Sequence, residues 1–387
     1  MKRIFFVLLA ALVACAPAMA GGYRTSVGQG DDATPVVVVW GTPLEMGQAQ
    51  GELLKDEINA CVPGFLEKNR ASGDARLTDE TLDAAWNDVK PHTDKRVLQE
   101  MEGISKGSGV SFDALRRAYM VPVVGDYACS GVAVWGAATK DGHLYQLRNL
   151  DYSTDVGLQD YPVVVIYIPK EGQPHANVTF AGMAGCNTGM NAAGVVLGEK
   201  GATPGEDYPF NLKGEHFTTL FRSLLYDATS LDQAIDMLQK APRIKKYYWY
   251  IGDGKIPAAV KIRAFAPNMD VWKGGDPTDE FAPNVIDNCI YCTMDDKIAY
   301  DTVKQNYGKL DAQSLIDLSR AVSGGDGNLL DAVYAPSTLE MWVAYAEKEK
   351  PAATREYVHL NMNDYLTPSK IPEGAKVFEP KGKGKKK

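Results

Sequence analysis

Residues 126–152 read DYACSGVAVWGAATKDGHLYQLRNLDY. Two runs rich in strand-forming residues flank Lys140-Asp141-Gly142, which predicts a β-hairpin with Cys129 near its start and Asp151 near its end. Gly142 suits the left-handed position of a three-residue loop. That loop pairs Thr139 with His143 and Gly131 with Asp151, leaving Asp151 roughly 7 Å along the strand from Cys129. A two-residue loop shifts the register by one and turns Arg148 to the cysteine's face instead. Because positions 148 and 151 have opposite parity, a regular strand cannot present both to the thiol; one of them sits on a bulge or past the strand end.

The hairpin divides the chain into halves of different character. From Pro43 to about Met120, apolar residues recur at three- and four-residue spacing, through MGQAQGELLKDEINACVPGFLEK, ETLDAAWNDVK and RVLQEMEGISKG, which predicts helices. After Asp126, short β-rich runs follow one another: VAVWGAAT, YQLRNLDY, YPVVVIYIP, ANVTFAG, GVVLGEK, KYYWYIGDG and AAVKIRAF. Helices are expected at FTTLFRSLLYDA, at SLDQAIDMLQKA with Ser230 as its N-cap, and at AQSLIDLSRAV. MWVAYAE reads as a late strand. The expectation is an α+β protein, with a helical segment over 21–128, a body over 129–375 and a basic, disordered tail over 376–387.

Residues 1–20 have the layout of an export signal: Lys2 and Arg3, an apolar run from Ile4 to Ala14, and Ala18-Met19-Ala20 as a small-residue cleavage site. The run is shorter than the ~20 residues a membrane-spanning helix needs. Leu12-Val13-Ala14-Cys15 also fits the pattern of a lipoprotein cut and lipidated on cysteine, so the exported product is expected to be periplasmic or extracellular, with membrane attachment only if Cys15 is lipidated. A net charge of −8 argues against a nucleic-acid partner. Export places the remaining cysteines in an oxidising compartment. With Cys129 as the reactive thiol, Cys61, Cys186, Cys289 and Cys292 are left as disulfide candidates. Cys289 and Cys292 form a lone Cys-x-x-Cys without the second pair or histidines that a zinc site needs, so no metal is expected.

A cysteine beside an arginine and an aspartate suggests nucleophilic chemistry, since a guanidinium favours the thiolate. No histidine lies close except His143, at the far end of the hairpin. A cut before Cys129 would supply a base, because a free α-amine titrates near ~8 and can take the thiol proton.

Cys129-Ser130, Ala138-Thr139-Lys140-Asp141-Gly142 and Arg148-Asn149-Leu150-Asp151-Tyr152 together resemble the start of the mature chain in cysteine N-terminal-nucleophile hydrolases. The branch indicated is that of isopenicillin N acyltransferase, related to choloylglycine hydrolases and acid amidases. Gly41-Thr42-Pro43-Leu44-Glu45-Met46-Gly47, Gly189-Met190-Asn191-Ala192-Ala193-Gly194 and Asn288 extend the resemblance over roughly residues 40–345. It implies a four-layer αββα sandwich preceded by a helical pro-segment, and a precursor that cuts itself between Ala128 and Cys129 into chains that stay associated. It further implies that Cys129 forms an acyl-enzyme thioester with a linear amide, so that the acyl group is hydrolysed or transferred. Arg148 and Asp151 would hold the nucleophile and its amine, Asn191 and Asn288 would donate to the oxyanion, and no cofactor would be needed. Two places depart from the family: Asp287-Asn288-Cys289 replaces Thr-Asn-His or Thr-Asn-Pro, and Tyr300 stands where some members carry arginine.

Two other readings remain. One is an unprocessed papain-like thiol hydrolase using His359 as the base; the other is a non-enzymatic exported binding lipoprotein on the same fold. Tyr247-Tyr248-Trp249-Tyr250 is expected to be a strand buried on both faces, and Arg222 and Arg263 to be structural.

Overall fold

The computed structural model describes residues 20–125, 127–201, 211–265, 267–280, 282 and 284–380. The charged and apolar parts of the expected export signal, Cys15, and the terminal Lys-Gly repeat of the expected tail lie outside these residues.

The chain opens with strands β1 (Gly21–Val27) and β2 (Thr34–Gly41), followed by helices α1 (Pro43–Leu53), α2 (Lys55–Ala71), α3 (Asp79–Val89), α4 (Lys95–Ser108) and α5 (Phe112–Val124). Then come β3 (Ala128–Gly136), β4 (Gly142–Asp151), β5 (Pro162–Pro169), β6 (His175–Phe180), β7 (Thr188–Asn191) and β8 (Val195–Gly201). Helices α6 (Phe217–Asp227) and α7 (Leu231–Lys240) lead to β9 (Tyr247–Asp253), β10 (Ala258–Ala264), β11 (Met269–Lys273) and β12 (Cys289–Cys292). The chain ends with α8 (Asp296–Gln305), α9 (Ala312–Ala321), β13 (Asn328–Ala335), β14 (Glu340–Tyr345), β15 (Val358–Asn361) and β16 (Lys376–Phe378).

These strands form two sheets. The larger has ten strands in the order β11-β10-β9-β8-β7-β6-β5-β2-β1-β16, and the smaller has six in the order β12-β3-β4-β13-β14-β15. Among the described strands, only the β2–β5 pair is parallel. The sheets face each other through β3 and β4 against β8, β9 and β10. Helices α1, α6 and α7 cover the outer face of the larger sheet, and α8 and α9 that of the smaller. This is the four-layer αββα sandwich expected from the sequence.

The helical expectation for 21–128 is corrected at its start. Val36 to Val39 of β2 are fully buried, as are Val163 to Ile166 of the neighbouring β5. Such unbroken apolar runs suit strands covered on both faces, and here they form interior strands of the larger sheet. Likewise β16 belongs to the stretch read as a tail and pairs with β1.

The α1–α4 contact explains the glycines of the leader. Thr42 and Glu45 form a reciprocal capping box at the start of α1. A Cβ on Gly47 would meet the Glu100 carbonyl oxygen at 2.2 Å, and one on Gly103 would meet the Leu44 carbonyl oxygen at 2.3 Å. Both helices therefore approach backbone to backbone. A second tie runs from leader to body: Glu100 of α4 is buried against Arg222 of α6 and accepts from the Tyr167 hydroxyl of β5 at 2.9 Å. The Arg222 guanidinium also stacks 3.9 Å above the Tyr167 ring. Arg222 is thus structural, as expected.

Candidate active site

The β3–β4 ladder pairs Ala128 with Asp151, Cys129 with Leu150 and Gly131 with Arg148. Neither register derived from the loop is observed. The turn occupies the five residues between Gly136 and Gly142, both in left-handed backbone with φ of 54° and 79°, and a shift between Val134 and Gly136 absorbs the difference. Strand alternation then places Arg148 on the face of Cys129, turned toward the larger sheet, while Asp151 sits at the strand end, as the parity argument required.

Arg148 crosses to β8. Its Nη2 lies 3.3 Å from the Cys129 Sγ and 3.3 Å from the Glu199 Oε2, and its Nε donates to the Glu199 carbonyl at 3.0 Å. Gly198 makes room for this path, since a Cβ there would stand 3.3 Å from the Arg148 Cγ. Tyr127, two residues before the cysteine, donates its hydroxyl to the Glu199 Oε1 at 2.7 Å. Cys129, Arg148 and Glu199 are all fully buried.

Burial pushes the Cys129 thiol up to about 12; the Arg148 charge lowers it less than burial raises it, and Glu199 and Asp151 add to the rise. The guanidinium lowers the thiol as expected, but burial outweighs it, and in the intact chain the thiol is protonated. Burial likewise raises the Glu199 carboxyl to about 6, against the pull of Arg148. Burial disfavours the Arg148 charge, but Cys129 and Glu199 more than offset it and its pKa rises. Asp151 is also raised by burial, partly countered by the Gly324 N–H and by Asn328. Its Oδ1 accepts from the Asn328 Nδ2 at 3.0 Å, whereas its Oδ2 is buried without a hydrogen-bond partner.

The two asparagines expected at the oxyanion are placed elsewhere. Asn191 ends β7, where its Nδ2 donates to the Ala228 and Leu225 carbonyls and its Oδ1 accepts from the Ala193 and Val195 N–H groups. Its amide is spent on that turn. The opposite end of β8, about 20 Å along the strand, is the one whose Gly201 N–H meets Cys129. Asn288 lies beside the other end of β3: its carbonyl accepts from the Trp135 N–H at 3.0 Å and its Nδ2 reaches the Tyr307 hydroxyl at 3.2 Å. Six residues separate Trp135 from Cys129, about 20 Å.

His359, the base of the papain-like reading, is on β15, four strands from β3 and so about 19 Å away. It is exposed, bonded to Glu340 at 2.9 Å and stacked on Trp342. The disulfide expectation is also corrected. Cys61, Cys129, Cys186, Cys289 and Cys292 are all unpaired and buried. Cys289 and Cys292 sit in one four-residue strand and pack into different core clusters.

Glu199 was missed in the sequence, where GVVLGEK read only as a strand. Its signal was a carboxylate inside an apolar run, a residue type rarely buried without a partner. Asn328 and Asp331, behind Asp151, had no signal near the cysteine. An apolar cavity adjoins the site. Its walls are Phe65, Tyr119 and Pro122 from the leader and Leu150, Phe180 and Met183 from the body, and Tyr127 and Arg148 lie at its polar side. Among the described residues no helix is long and apolar enough to cross a membrane.

Residues 137–264 match the family described as acyl-coenzyme A:6-aminopenicillanic acid acyl-transferase. This segment is about a third of the chain; it contains Arg148, Asp151, Asn191 and Glu199 and begins after Cys129. It coincides with the family resemblance read from the sequence. Among curated proteins, Protein dcd1A of Dictyostelium discoideum is 24% identical over 402 residues, spanning 89% of this chain and 88% of its own. Protein dcd1B of the same organism is 26% identical over 339 residues, spanning 79% and 67%. Similar solved structures include a Caenorhabditis elegans N-acylethanolamine-hydrolyzing acid amidase ortholog, with 16% identity, coverage of 54% of this chain and 93% of that one, and a TM-score of 0.44. A mutant form of the conjugated bile acid hydrolase of Clostridium perfringens has 12% identity, coverage of 65% and 97%, and a TM-score of 0.40. Penicillin V acylase of Agrobacterium tumefaciens has 13% identity, coverage of 64% and 90%, and a TM-score of 0.39.

Proposed function

We propose that this chain is a self-processing amide hydrolase or acyltransferase, with Cys129 as its nucleophile and Ala128–Cys129 as the bond it first cleaves. The observation that carries this reading is Asp151. It stands across the ladder from Ala128 with one buried carboxylate oxygen unpartnered. An unmet acceptor of this kind is costly unless a donor arrives, and the α-ammonium created by the cut would be such a donor.

In the first step the Cys129 Sγ attacks the Ala128 carbonyl carbon. The C–N bond breaks, a thioester forms, and the thiol proton ends on the leaving nitrogen. Water then hydrolyses the thioester, giving the Ala128 carboxylate, a free thiol and the α-amine of Cys129. That amine supplies the base missing from the intact site, where the thiol is protonated. In turnover it takes the thiol proton, the thiolate attacks the carbonyl carbon of a linear amide, the C–N bond breaks as the α-ammonium returns its proton to the leaving amine, and the acyl group then passes from the thioester to water or to another amine. Arg148 holds the sulfur, and the apolar cavity beside it suits an apolar acyl group.

The leader walls that cavity and is tied to the body through Glu100 and Arg222, so we also propose that the two chains stay associated after the cut. Export, by signal cleavage after Ala20 or lipidation at Cys15, belongs to the same proposal. Intact mass spectrometry tests all of it: wild type is expected as two fragments, the second starting at Cys129, and Cys129→Ala as one chain. A Cys129→Ala protein still cut there, or an uncut wild type with full amidase turnover, would overturn the reading. A mature protein whose thiol no acyl-amide probe labels would favour the binding-protein alternative.

A further inference from the structure

We propose that Asp331 carries a proton in the folded protein at weakly acidic pH and, through Asn328, acts as the positioning residue for Asp151. The inference rests on the reading of Asp151 given above, but its first ground is a count of protons.

Five polar side chains, four of them fully buried, line up behind Asp151, on the face of the smaller sheet that packs against α9. Asn149 donates its Nδ2 to the Ser319 carbonyl at 2.8 Å, which makes its Oδ1 the acceptor. The Ser319 Oγ lies 2.6 Å from that Oδ1, so the serine proton is used there. The Tyr357 hydroxyl lies 3.0 Å from the Ser319 Oγ and can only donate to it. Tyr357 also lies 2.7 Å from the Asp331 Oδ2. Three oxygen–oxygen contacts thus share two hydroxyl protons. We assign the third proton to Asp331, as a carboxylic acid donating to the tyrosine oxygen in place of the tyrosine donating to a carboxylate.

The other Asp331 oxygen accepts from the Asn328 Nδ2 at 2.7 Å, and that same amide donates to the Asp151 Oδ1 at 3.0 Å. The Asn328 Oδ1 is held by the Ala353 N–H at 2.7 Å, which fixes the amide's orientation. Asp331, Asn328, Asn149 and Ser319 are fully buried.

Burial and Asp151 favour a neutral Asp331, while hydrogen bonds from Asn328 and Tyr357 act against it. On β4, Asp151 disfavours a second carboxylate charge and Arg148 pulls weakly the other way. Arg320 of α9 sits 5.1 Å over the Tyr357 ring, and Lys200 acts on Asp151. Tyr357 itself is raised, by burial first. On β14 the residue opposite Asp331 is Ala344, which carries no charge. Burial is the main cause that lifts the Asp331 carboxyl, to about 7. Neutral Asp331 leaves Asp151 as the one anion of this cluster. Once ionised, it would add a second negative charge, favour the ammonium form of that amine, and slow the reaction above neutral pH.

Asp331→Asn reproduces the protonated acid: its Nδ2 can donate to Tyr357 and its Oδ1 can accept from Asn328. The direct test is infrared difference spectroscopy of Cys129→Ala against Cys129→Ala/Asp331→Asn at pH 6, in the full chain. A protonated-carboxyl C=O band lost with Asp331→Asn is expected, and its absence overturns the proposal whether or not the chain processes itself. In the Cys129-containing protein, Asp331→Asn is expected to self-cleave and turn over at pH 6 within about threefold of wild type and to lose the decline above pH 7. Asp331→Ala is expected to be slower by about tenfold or more. A folded Asp331→Asn as slow as Asp331→Ala, or one with an unchanged alkaline limb, overturns it. If Asp331→Ala does not fold, the band and the Asp331→Asn pH profile decide.

Discussion

Replacing Arg148 with methionine keeps much of the side-chain stem but removes the cation that bonds Glu199. Both residues are fully buried, so solvent screening does not discount the pair. The hydrogen bond left to the carboxylate is that of the Tyr127 hydroxyl at 2.7 Å. Breaking a buried pair from one side costs about 3–5 kcal/mol, because the surviving charge is uncompensated. Here the survivor has an escape. Glu199 already titrates at about 6 with the guanidinium present, and losing a neighbour that lowers its pKa moves it higher. A carboxyl whose folded pKa lies above its unfolded value contributes stability that is fully present below the unfolded value and lost as pH rises through the folded one. At pH 5 the variant should therefore fold with Glu199 neutral and lose only the hydrogen bonds of Arg148, about 1–2 kcal/mol. At pH 8 it should lose about 3–5 kcal/mol. Urea unfolding at the two pH values, with Cys129→Ala in both proteins to keep the chains intact, measures the difference. Adding Glu199→Gln should return most of the loss at pH 8. An equal loss at both pH values, or no recovery in the double variant, would refute the argument that an unpaired buried charge is the cause.

Asp151→Asn should leave the chain folded but slow the cut at Ala128–Cys129 by about a hundredfold, since its amide cannot balance the new ammonium; gel densitometry of the purified protein over time measures this, and unchanged kinetics would remove Asp151 from the site. Gly103→Ala should destabilise the α1–α4 pair by about 3 kcal/mol, because the added carbon meets backbone rather than a movable side chain, and a Tm equal to wild type would contradict that packing. Asn191→Ala should lower stability by about 1–3 kcal/mol through the unpaired groups of its turn, while the rate of the cut per folded molecule stays the same. For Asp331, the raised carboxyl means that wild-type stability falls as pH rises from about 4 through about 7, by up to about 4 kcal/mol, whereas Asp331→Asn should be flatter over that window in urea titrations.

Much of this protein was readable from local chemistry. The apolar runs of β5, β8 and β9, the Ser230 cap of α7 and the three- and four-residue spacing of α1 to α4 appear in the structure where the sequence places them, because each depends on neighbours a few residues away. The string from Cys129 to Asp151 was legible for the same reason: one hairpin carries all three chemical groups. Its register was not, since the left-handed glycines at 136 and 142 bracket a turn longer than the pattern suggests.

By itself, then, the sequence determined the hairpin that carries Cys129, Arg148 and Asp151 and the strand-and-helix alternation that closes as layered sheets. Only the tertiary structure decided what surrounds the thiol. Glu199, Asn328 and Asp331 reach it or its neighbours from strands 70 to 202 residues further along the chain, and Asn191 and Asn288 are drawn away by carbonyls and hydroxyls near their own turns. Burial sets the protonation of Cys129, Glu199 and Asp331, and burial is a property of the packed sheets rather than of any short stretch of residues.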